Sequence, residues 1–378
     1  MKVERKQFPQ ISDEVIYFDN AATTLKPQCV IDALSHYYEK LNANPRRGLY
    51  PLAVAATEQY ERDRKTVAQF IGAEADEIVF TRGATESLNM LAIGLPSEFD
   101  AVVAQSEHHS NLLPWQQHHK TTIWPLKNGL LDFDELQRVL NKKTHVVAFS
   151  PYSNVLGKII TDDELVRIIN FLHKRDITVV IDATQWIAHE RIDVRKFDMD
   201  FLAFSAHKIY GPMGVGVLYG KRGILPSLKP SYYGGEMVND VSLDKITLAD
   251  APERFEAGTM NPAGAYALAE AIRFLKNYDE PSFIAKELLA KVPHLHIYSH
   301  DGPILSFNIE GVHPHDTAQF LADNGIAVRA GYHCAQPLLD SLGIGPCVRA
   351  SLGIYNTQAE IDHFVEVLNK ERKAMGYV

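Results

Sequence analysis

The sequence predicts an α/β protein with a large, doubly wound, mostly parallel sheet and a smaller α+β domain. The first observation is an alternation of short β-branched runs with segments of helical apolar spacing, repeated up to about residue 219. The second is a hydrophobic content of 46% over 378 residues, which is enough to bury a large core. The third is the change after Ala263, where helices mix with short strands such as residues 304–309 and 326–329. This change indicates a second domain.

Composition restricts the classes of partner. A net charge of −9 without a long Lys/Arg run argues against nucleic acid or an anionic membrane. No apolar run approaches ~18 residues, and the N-terminal stretch lacks the apolar segment of a signal peptide. Cys29, Cys334 and Cys347 lack metal-site spacing, and any disulfide would leave one of them unpaired. We therefore expect a cytoplasmic protein that acts on small molecules or proteins.

The first part of the chain is read as a strand, a turn and two helices. Residues 15–19 are the strand, and the small residues 20–24 allow the backbone to approach a ligand closely. Helical spacing follows over residues 29–41 and 54–71. The loop between these helices carries Arg46 and Arg47, and paired arginines on a loop are usually solvated.

The next segment predicts a strand at residues 77–81 that turns directly into a helix over residues 88–93. The turn contains Gly83, Ala84 and Thr85. A glycine, a hydroxyl group and a helix N-terminus together can bind a phosphate. Ordinary capping of the helix by Thr85, with Glu86 in its first turn, explains the same pattern equally well.

Two further strand ends carry polar groups. The strand at residues 100–105 runs into the sequence SEHHSN, which contains His108, and an amphipathic helix follows. A histidine there can lie flat on an aromatic cofactor and move protons, because its usual pKa is near neutrality. The strand at residues 145–150 leads to a loop with Asn154, which is an ordinary turn by composition.

The most informative stretch runs from residue 178 to residue 219. After the helix at residues 162–174, the β-branched run 178–181 ends in Asp182, and a second strand runs into Lys208. Ligands bind at the carboxyl ends of parallel strands. A pyridinium nitrogen needs a fixed carboxylate, and a Schiff base needs a lysine amine. The alternatives are a helix-capping aspartate and a surface lysine.

The sequences DATQ at 182–185 and SAHKIYGPMGVG at 205–216 resemble pyridoxal-phosphate (PLP) enzymes of aminotransferase class V. The resemblance is to the cysteine desulfurases, of the SufS/CsdA type, and it extends from FDNAATT near the start to RASLGIYNT near the end. It implies PLP-dependent transferase fold type I. A large PLP-binding domain is expected at residues 26–259, and a small domain at residues 1–25 and 260–378.

The resemblance also implies roles for individual residues. His108 is expected to stack on the PLP ring, Asn154 to lie beside cofactor and substrate, and Gln185 to donate to the phenolic oxygen. Asp182 and Lys208 take the pyridinium and Schiff-base roles. Phosphate contacts are expected from Gly83, Ala84, Thr85, Ser205 and His207.

Some positions depart from the family pattern. Arg46 stands where the family has a histidine, and Ala206 replaces a glycine, whereas Thr184 is similar to the IscS/NifS branch. Residues 238–254 are polar and turn-prone. In the family this segment projects across a homodimer interface, so Thr259 is expected to reach the phosphate of the other subunit.

A second candidate constellation is the Gly/Pro-bounded loop RAGYHCAQP at residues 329–337. A histidine and an arginine near Cys334 can lower the pKa of its thiol, and the thiolate is the nucleophile. A small buried side chain is the commoner fate of a lone cysteine, and we assign that fate to Cys347. The resemblance implies that Cys334 is the nucleophile and that Arg329 contacts substrate. Arg349 is expected to clamp a carboxylate, with a surface arginine as the alternative.

The implied reaction converts L-cysteine to L-alanine and leaves a persulfide on Cys334, for iron-sulfur cluster assembly or related sulfur transfer. A selenocysteine lyase or a PLP-dependent β-lyase would not need the loop thiol. A non-catalytic PLP-fold scaffold for sulfur-carrier proteins is the alternative outside enzymology. Because residues 325–337 form a short loop, we expect a small SufE-, CsdE- or SufU-like acceptor to come to Cys334.

Overall fold

The computed structural model describes residues 4–12, 14–278, 287, 289–300 and 302–374. The remaining residues, all of them in the predicted small domain, lie outside the described part. In chain order the strands are β1 (Ile16–Tyr17), β2 (Ile78–Thr81), β3 (Asp100–Ala104), β4 (Thr121–Trp124), β5 (Leu126–Lys127), β6 (Leu130–Leu131), β7 (Thr144–Phe149), β8 (Tyr152–Ser153), β9 (Gly157–Lys158), β10 (Thr178–Asp182), β11 (Phe201–Ser205), β12 (Gly216–Gly220), β13 (Val238–Val241), β14 (Ile246–Leu248), β15 (Leu295–Ile297), β16 (Ile304–Ile309), β17 (Ile326–Ala327), β18 (Arg329–Gly331) and β19 (Cys347–Ser351).

The helices accompany these strands, and none in the described part of the chain is long and apolar enough to cross a membrane. The predicted helix at residues 29–41 is an α-helix followed by a π-helical turn, Tyr37–Leu41. The α-helices are α1 (Gln28–His36), α2 (Pro51–Phe70), α3 (Ala84–Gly94), α4 (His109–His118), α5 (Phe133–Val139), α6 (Asp162–His173), α7 (Trp186–His189), α8 (Pro262–Leu275), α9 (Pro314–Asp323), α10 (Gln336–Leu342) and α11 (Gln358–Ala374).

A seven-stranded sheet in the order β2-β12-β11-β10-β7-β3-β4 forms the centre of the molecule. Only β12 runs antiparallel to its neighbours, so the prediction of a mostly parallel sheet is confirmed. Val179 and Ile181 of β10 belong to one hydrophobic cluster, and Val180 belongs to another. Because side chains alternate along a strand, these clusters are the cores on the two faces of the sheet.

Helix α6 shows how local sequence sets one crossover between the strands. Thr161 caps the helix, since its hydroxyl accepts the Glu164 N–H at 3.3 Å, and Asp162 and Asp163 occupy the first turn. Leu165, Ile168, Ile169 and Leu172 are buried against the sheet. The helix therefore returns the chain to the parallel strand β10, and β10 ends at the predicted residue Asp182.

The C-terminal part forms an antiparallel four-stranded sheet in the order β15-β16-β19-β18. Its own core includes Phe307 and Val348 from the strands, Leu321 from α9 and Phe364 from α11. The N-terminal strand β1 pairs in parallel with β17, with Ile16 opposite Ile326. This sheet and its helices have the predicted α+β architecture, while the division at residues 26–259 remains a prediction.

Two segments differ from their sequence-based expectation. The turn-prone stretch 238–254 contains an antiparallel hairpin of β13 and β14. Residues 326–329, predicted as one strand, contribute to two: β17 pairs with β1, whereas β18 pairs with β19. This break directs the chain from the N-terminal strand towards the loop that carries Cys334.

Replacing Gly216 by alanine should destabilise the protein by about 3 kcal/mol. A Cβ atom at Gly216 would lie 2.3 Å from the Cα atom of Gly83, and this backbone atom cannot move away as the end of a flexible side chain could. Urea unfolding monitored by circular dichroism measures this change. Gly223→Ala is the control, because a Cβ atom there meets nothing within 4 Å. Equal stabilities for the two variants would show that β12 and the Gly83 turn do not pack as described.

Candidate active site

The carboxyl ends of the parallel strands meet around a cavity of about 190 Å³. Ser106 follows β3, Ser150 follows β7, and Asp182 and Ser205 end β10 and β11. All four residues line the cavity. The predicted site residues that line it are Ala84, Thr85, His108, Asn154, Asp182, Gln185, Ser205, His207 and Lys208.

Asp182 provides a buried carboxylate in this cavity. Its side chain is only 5% exposed, and its Oδ1 atom accepts the Thr184 N–H at 2.9 Å. Burial raises its pKa, although the bonds from Thr184 and the charge of Lys208 act in the opposite direction. A buried carboxyl group in this position favours a cationic ligand group beside it.

Lys208 provides an amine in the same cavity and is not the surface lysine of the alternative interpretation. Its Nζ atom donates to the carbonyl groups of Ala21 and Ala22, the latter at 2.9 Å. Burial, followed by the charge of Arg349, lowers the pKa of Lys208 to about 7. A large fraction of this amine is therefore neutral and nucleophilic near neutral pH.

His108 caps helix α4, with its Nδ1 atom accepting the Ser110 N–H at 3.1 Å. Burial and the charge of Lys208 lower its pKa to about 4. The prediction from the sequence that the pKa of His108 lies near neutrality is therefore wrong. The imidazole is neutral, and since Nδ1 accepts a hydrogen bond, the proton resides on Nε2.

The Gly83–Thr85 turn forms the N-terminus of α3, and its N-cap residue, Gly83, has no side chain to cap it. The Ala84 N–H donates to the Ser205 hydroxyl at 2.9 Å, and Thr85 pairs with Ser110 at 2.8 Å. Thr85 is therefore not the cap that the alternative interpretation required. Gly83 itself lines an adjoining groove outside the cavity. Ser205 takes the first N–H of α3, and the N–H groups of Thr85 and Glu86 behind it remain available to an anion.

The residues present fit the ring and phosphate of PLP. The Nδ1 atom of His207 is buried and has no hydrogen-bond partner among the described residues, which leaves one polar group for a ligand. Burial and the charge of Lys208 lower the pKa of His207 to about 4, so its imidazole is neutral. Gln185 donates to the Ala21 carbonyl at 3.0 Å with one amide hydrogen, and the other remains for a ligand.

Arg349 is buried, at 2% exposure, which excludes the surface-arginine alternative. Its guanidinium donates to the Asn154 carbonyl at 3.1 Å and to Asp19 Oδ1 at 3.3 Å. Its Nε atom is buried without a partner among the described residues. Arg329 is half-exposed and lies 3.8 Å from Asp19 Oδ2. Arg349 thus retains donor capacity for a ligand carboxylate.

The loop carrying Cys334 lies beside the residues that line the cavity. Asn154 Nδ2 donates to the His333 carbonyl at 2.7 Å, and the His109 N–H donates to the Cys334 carbonyl at 2.8 Å. Cys334 is exposed and carries a free thiol, whereas Cys347 is buried. Burial raises the pKa of Cys347 to about 12, as suits the structural role predicted for it.

His333 does not supply the positive charge that was expected to lower the pKa of the Cys334 thiol. Its ring is buried, and Nε2 bonds to the Cys347 carbonyl at 2.9 Å. Burial and the charge of Arg349 lower the pKa of His333 to about 3. Because the ring is directed into the protein, its imidazole is neutral and carries no positive charge.

Thr259 is not brought to the cavity of its own chain. It lines a separate groove together with Tyr232, Tyr233 and Gly214. Arg46, at the position of the family histidine, lies within 4 Å of the carboxylates of Glu61, Glu253 and Glu256. The side chain of Arg46 therefore pairs with carboxylates and does not line the cavity.

Two acidic residues near the site were not predicted. Asp19 contacts both Arg349 and Arg329, and only its place in the FDNAATT segment, at the end of the predicted strand 15–19, could have indicated it. Glu107 precedes His108, and its carboxylate accepts the Ser150 N–H at 2.8 Å and the Asn111 amide at 2.6 Å. Burial, with the charge of Asp182, raises the pKa of Glu107 to about 8. Glu107 thereby joins the ends of β3 and β7 to α4.

The seven-stranded sheet, the C-terminal four-stranded sheet and this cavity define an enzyme fold of the PLP-dependent transferase type. The sequence model of the class-V aminotransferases matches residues 16–364. This chain belongs to the class-V aminotransferase family.

Relatives and solved structures agree with this assignment. The chain is 40% identical to a probable cysteine desulfurase of Vibrio cholerae, with 97% of each chain covered. It superposes on the cysteine desulfurase CsdA of Escherichia coli with a TM-score of 0.90, at 38% identity and 98% coverage of each chain. The cysteine desulfurase of Thermococcus onnurineus gives a TM-score of 0.91 at 37% identity, covering 99% of this chain and 100% of the other.

Proposed function

We propose that this protein is a PLP-dependent cysteine desulfurase that converts L-cysteine to L-alanine and leaves the sulfur as a persulfide on Cys334. One observation carries the proposal. Asn154, which lines the cavity of Asp182 and Lys208, bonds through its carbonyl to Arg349 and through its amide to the loop of Cys334. The names of relatives such as CsdA support the same activity.

The chain supplies groups for holding the cofactor and the substrate. When bound, PLP supplies an electron sink for charge that develops on the substrate Cα. Asp182 would hold the proton of the ring nitrogen, while His207 and the N-terminus of α3 would bind the phosphate. Lys208 would hold the cofactor covalently and move the proton of Cα, and Arg349 would bind the substrate carboxylate.

The thiol of Cys334 completes the reaction. Its thiolate attacks the sulfur of the substrate, an S–S bond forms, and the Cβ–S bond of the substrate breaks. A Cβ–H bond replaces the Cβ–S bond. Cysteine and the Cys334 thiol thus become alanine and a persulfide, and the balance needs no external oxidant or reductant.

The test is mass spectrometry of the Cys334 peptide after the holoenzyme has been exposed to L-cysteine. We expect a mass increase of one sulfur atom that disappears on reduction, together with one alanine per modified chain. Cys29 provides the internal control, because it is also an exposed free thiol. Alanine without added sulfur on Cys334, or equal labelling of Cys29, would contradict the proposal.

Arg349→Lys should raise the L-cysteine concentration needed for the half-maximal rate by about tenfold. A lysine ammonium is a point charge and cannot form the two parallel hydrogen bonds of a guanidinium with a carboxylate. Steady-state alanine formation measures this effect. Arg329→Lys should have a smaller effect, because Arg329 is half-exposed. Unchanged cysteine dependence in Arg349→Lys would remove the clamp assignment.

The proposal includes a homodimer. Thr259 lies in a groove outside its own cavity, and the groove has exposed aromatic residues, Tyr232 at 49% and Tyr233 at 65%. A second copy covering this surface would bury these rings and bring Thr259 towards the phosphate of the partner's site. Analytical ultracentrifugation tests this. A monomer at micromolar concentration that retains full activity would contradict it.

The proposal also includes a small sulfur acceptor. The carbonyl groups of His333 and Cys334 are both hydrogen-bonded, which limits how far the thiol can travel. We expect slow alanine formation with cysteine alone and faster turnover with a SufE-, CsdE- or SufU-like acceptor or with dithiothreitol. Full multiple-turnover activity with neither addition would contradict the need for an acceptor.

The proposal further includes a cytoplasmic location. An exposed thiol that must stay reduced suits a reducing compartment.

A further inference from the structure

The backbone of the thiol loop has an unusual conformation. His333 and Cys334 have φ angles of +50° and +55°, so two consecutive residues with side chains lie in the left-handed region. This region costs an L-residue roughly 1–2 kcal/mol. Such a turn persists only where surrounding contacts hold it.

The Ala335 N–H closes this turn by donating to the Tyr332 carbonyl at 2.9 Å, and three further hydrogen bonds join the turn to other parts of the chain. Asn154 donates its side-chain amide to the His333 carbonyl at 2.7 Å. The first N–H of α4, from His109, donates to the Cys334 carbonyl at 2.8 Å. The third bond joins the His333 ring to the Cys347 carbonyl at 2.9 Å, and it is the only one of the three that a loop side chain makes.

The bond to the Cys347 carbonyl fixes the tautomer of the His333 ring. A carbonyl oxygen accepts, so Nε2 must carry the proton, and Nδ1 then bears a lone pair. This Nδ1 atom is buried and has no partner among the described residues. A buried polar group without a partner destabilises the fold. A small apolar side chain would avoid that loss, but it would also lack the bond to the Cys347 carbonyl.

We propose that His333 is a positioning residue for the Cys334 thiol. Its ring fixes the loop to β19 through the Cys347 carbonyl, while Asn154 fixes the same residue to the cavity. Together these bonds hold the left-handed turn that sets the direction of the neighbouring thiol. The inference rests on the proposed function, in which Cys334 attacks the substrate sulfur, and small misplacements of a reacting atom lower rates strongly.

The test compares His333→Gln with His333→Asn in the holoenzyme. The amide nitrogen of glutamine lies as many bonds from Cβ as Nε2 does, so it can reach the Cys347 carbonyl, whereas that of asparagine cannot. We expect His333→Asn to slow single-turnover persulfide formation on Cys334 by about tenfold or more, with cysteine affinity and cofactor content unchanged. His333→Gln should restore most of the rate.

Hydrogen exchange of the peptide at residues 329–338 provides a readout that is independent of activity. Exchange should be faster in His333→Asn and close to wild type in His333→Gln. Persulfide formation in His333→Asn within about twofold of wild type, or no rescue by glutamine, would overturn the inference. If the wild type itself forms no persulfide, the proposed function fails. Equal exchange in all three proteins would then still overturn the anchoring role of His333.

Discussion

Lys208→Ala should abolish alanine formation from L-cysteine, lowering turnover by more than about a thousandfold. Lys208 is the only lysine among the described residues that line the cavity, so no other amine is placed to replace it. Its lowered pKa, about 7, is a property of this buried position. The phosphate contacts proposed for α3 and His207 would not involve the amine, and the fold should therefore be retained. Steady-state alanine formation and circular dichroism measure the two effects.

Lys208→Arg is the matched control for charge. Arginine keeps a positive charge near the Ala21 and Ala22 carbonyls, but its guanidinium stays protonated and is not a nucleophile. We expect this variant to be as inactive as Lys208→Ala. Substantial turnover by Lys208→Arg would mean that the lysine acts only as a charge. Normal turnover by both variants would favour a site that does not use Lys208 at all.

The central sheet could be predicted because its signals are local. The β-branched run that forms β10 and the capped, acid-rich start of α6 identify a strand and a helix without reference to the rest of the chain. The hairpin of β13 and β14 was missed because its residues are mostly exposed and no buried face gives them a period. The break between β17 and β18 depends on partners that are distant in sequence, β1 and β19.

The position of a candidate site residue could be predicted where that residue ends a parallel strand. Asp182 and Ser205 end β10 and β11, and the parallel sheet alone brings them to one edge. Asp19 ends a predicted strand too, but β1 is not part of the seven-stranded sheet, so the same argument does not bring Asp19 to the site. Its contact with Arg349 joins the two ends of the chain and arises from the packing of β1 beside the C-terminal sheet.

The pKa values of the site histidines also could not be predicted from the local sequence. His108 and His333 have ordinary sequence neighbours, yet burial lowers their pKa values to about 4 and about 3. Burial depends on the whole fold and penalises the charged imidazole. The pairing of histidine with cysteine in the loop therefore suggested an electrostatic role, whereas the structure directs the His333 ring to the Cys347 carbonyl.

Cys334→Ala should lower alanine formation from L-cysteine by more than about a hundredfold while leaving cofactor content and cysteine affinity nearly unchanged. The reason is geometric. The loop is held by bonds to the His333 and Cys334 carbonyl groups, and alanine retains both. The substitution therefore removes the nucleophile and little else, and the measurements are steady-state alanine formation and cysteine titration of the holoenzyme.

The control for this substitution is Cys29→Ala, which removes the other exposed free thiol, in α1, and should leave the rate unchanged. The comparison separates a desulfurase from a lyase. A lyase releases sulfur without a protein thiol, so Cys334→Ala would then form alanine or another carbon product at nearly the wild-type rate. Loss of activity in Cys334→Ala together with full activity in Cys29→Ala would instead assign the sulfur-accepting step to the loop thiol.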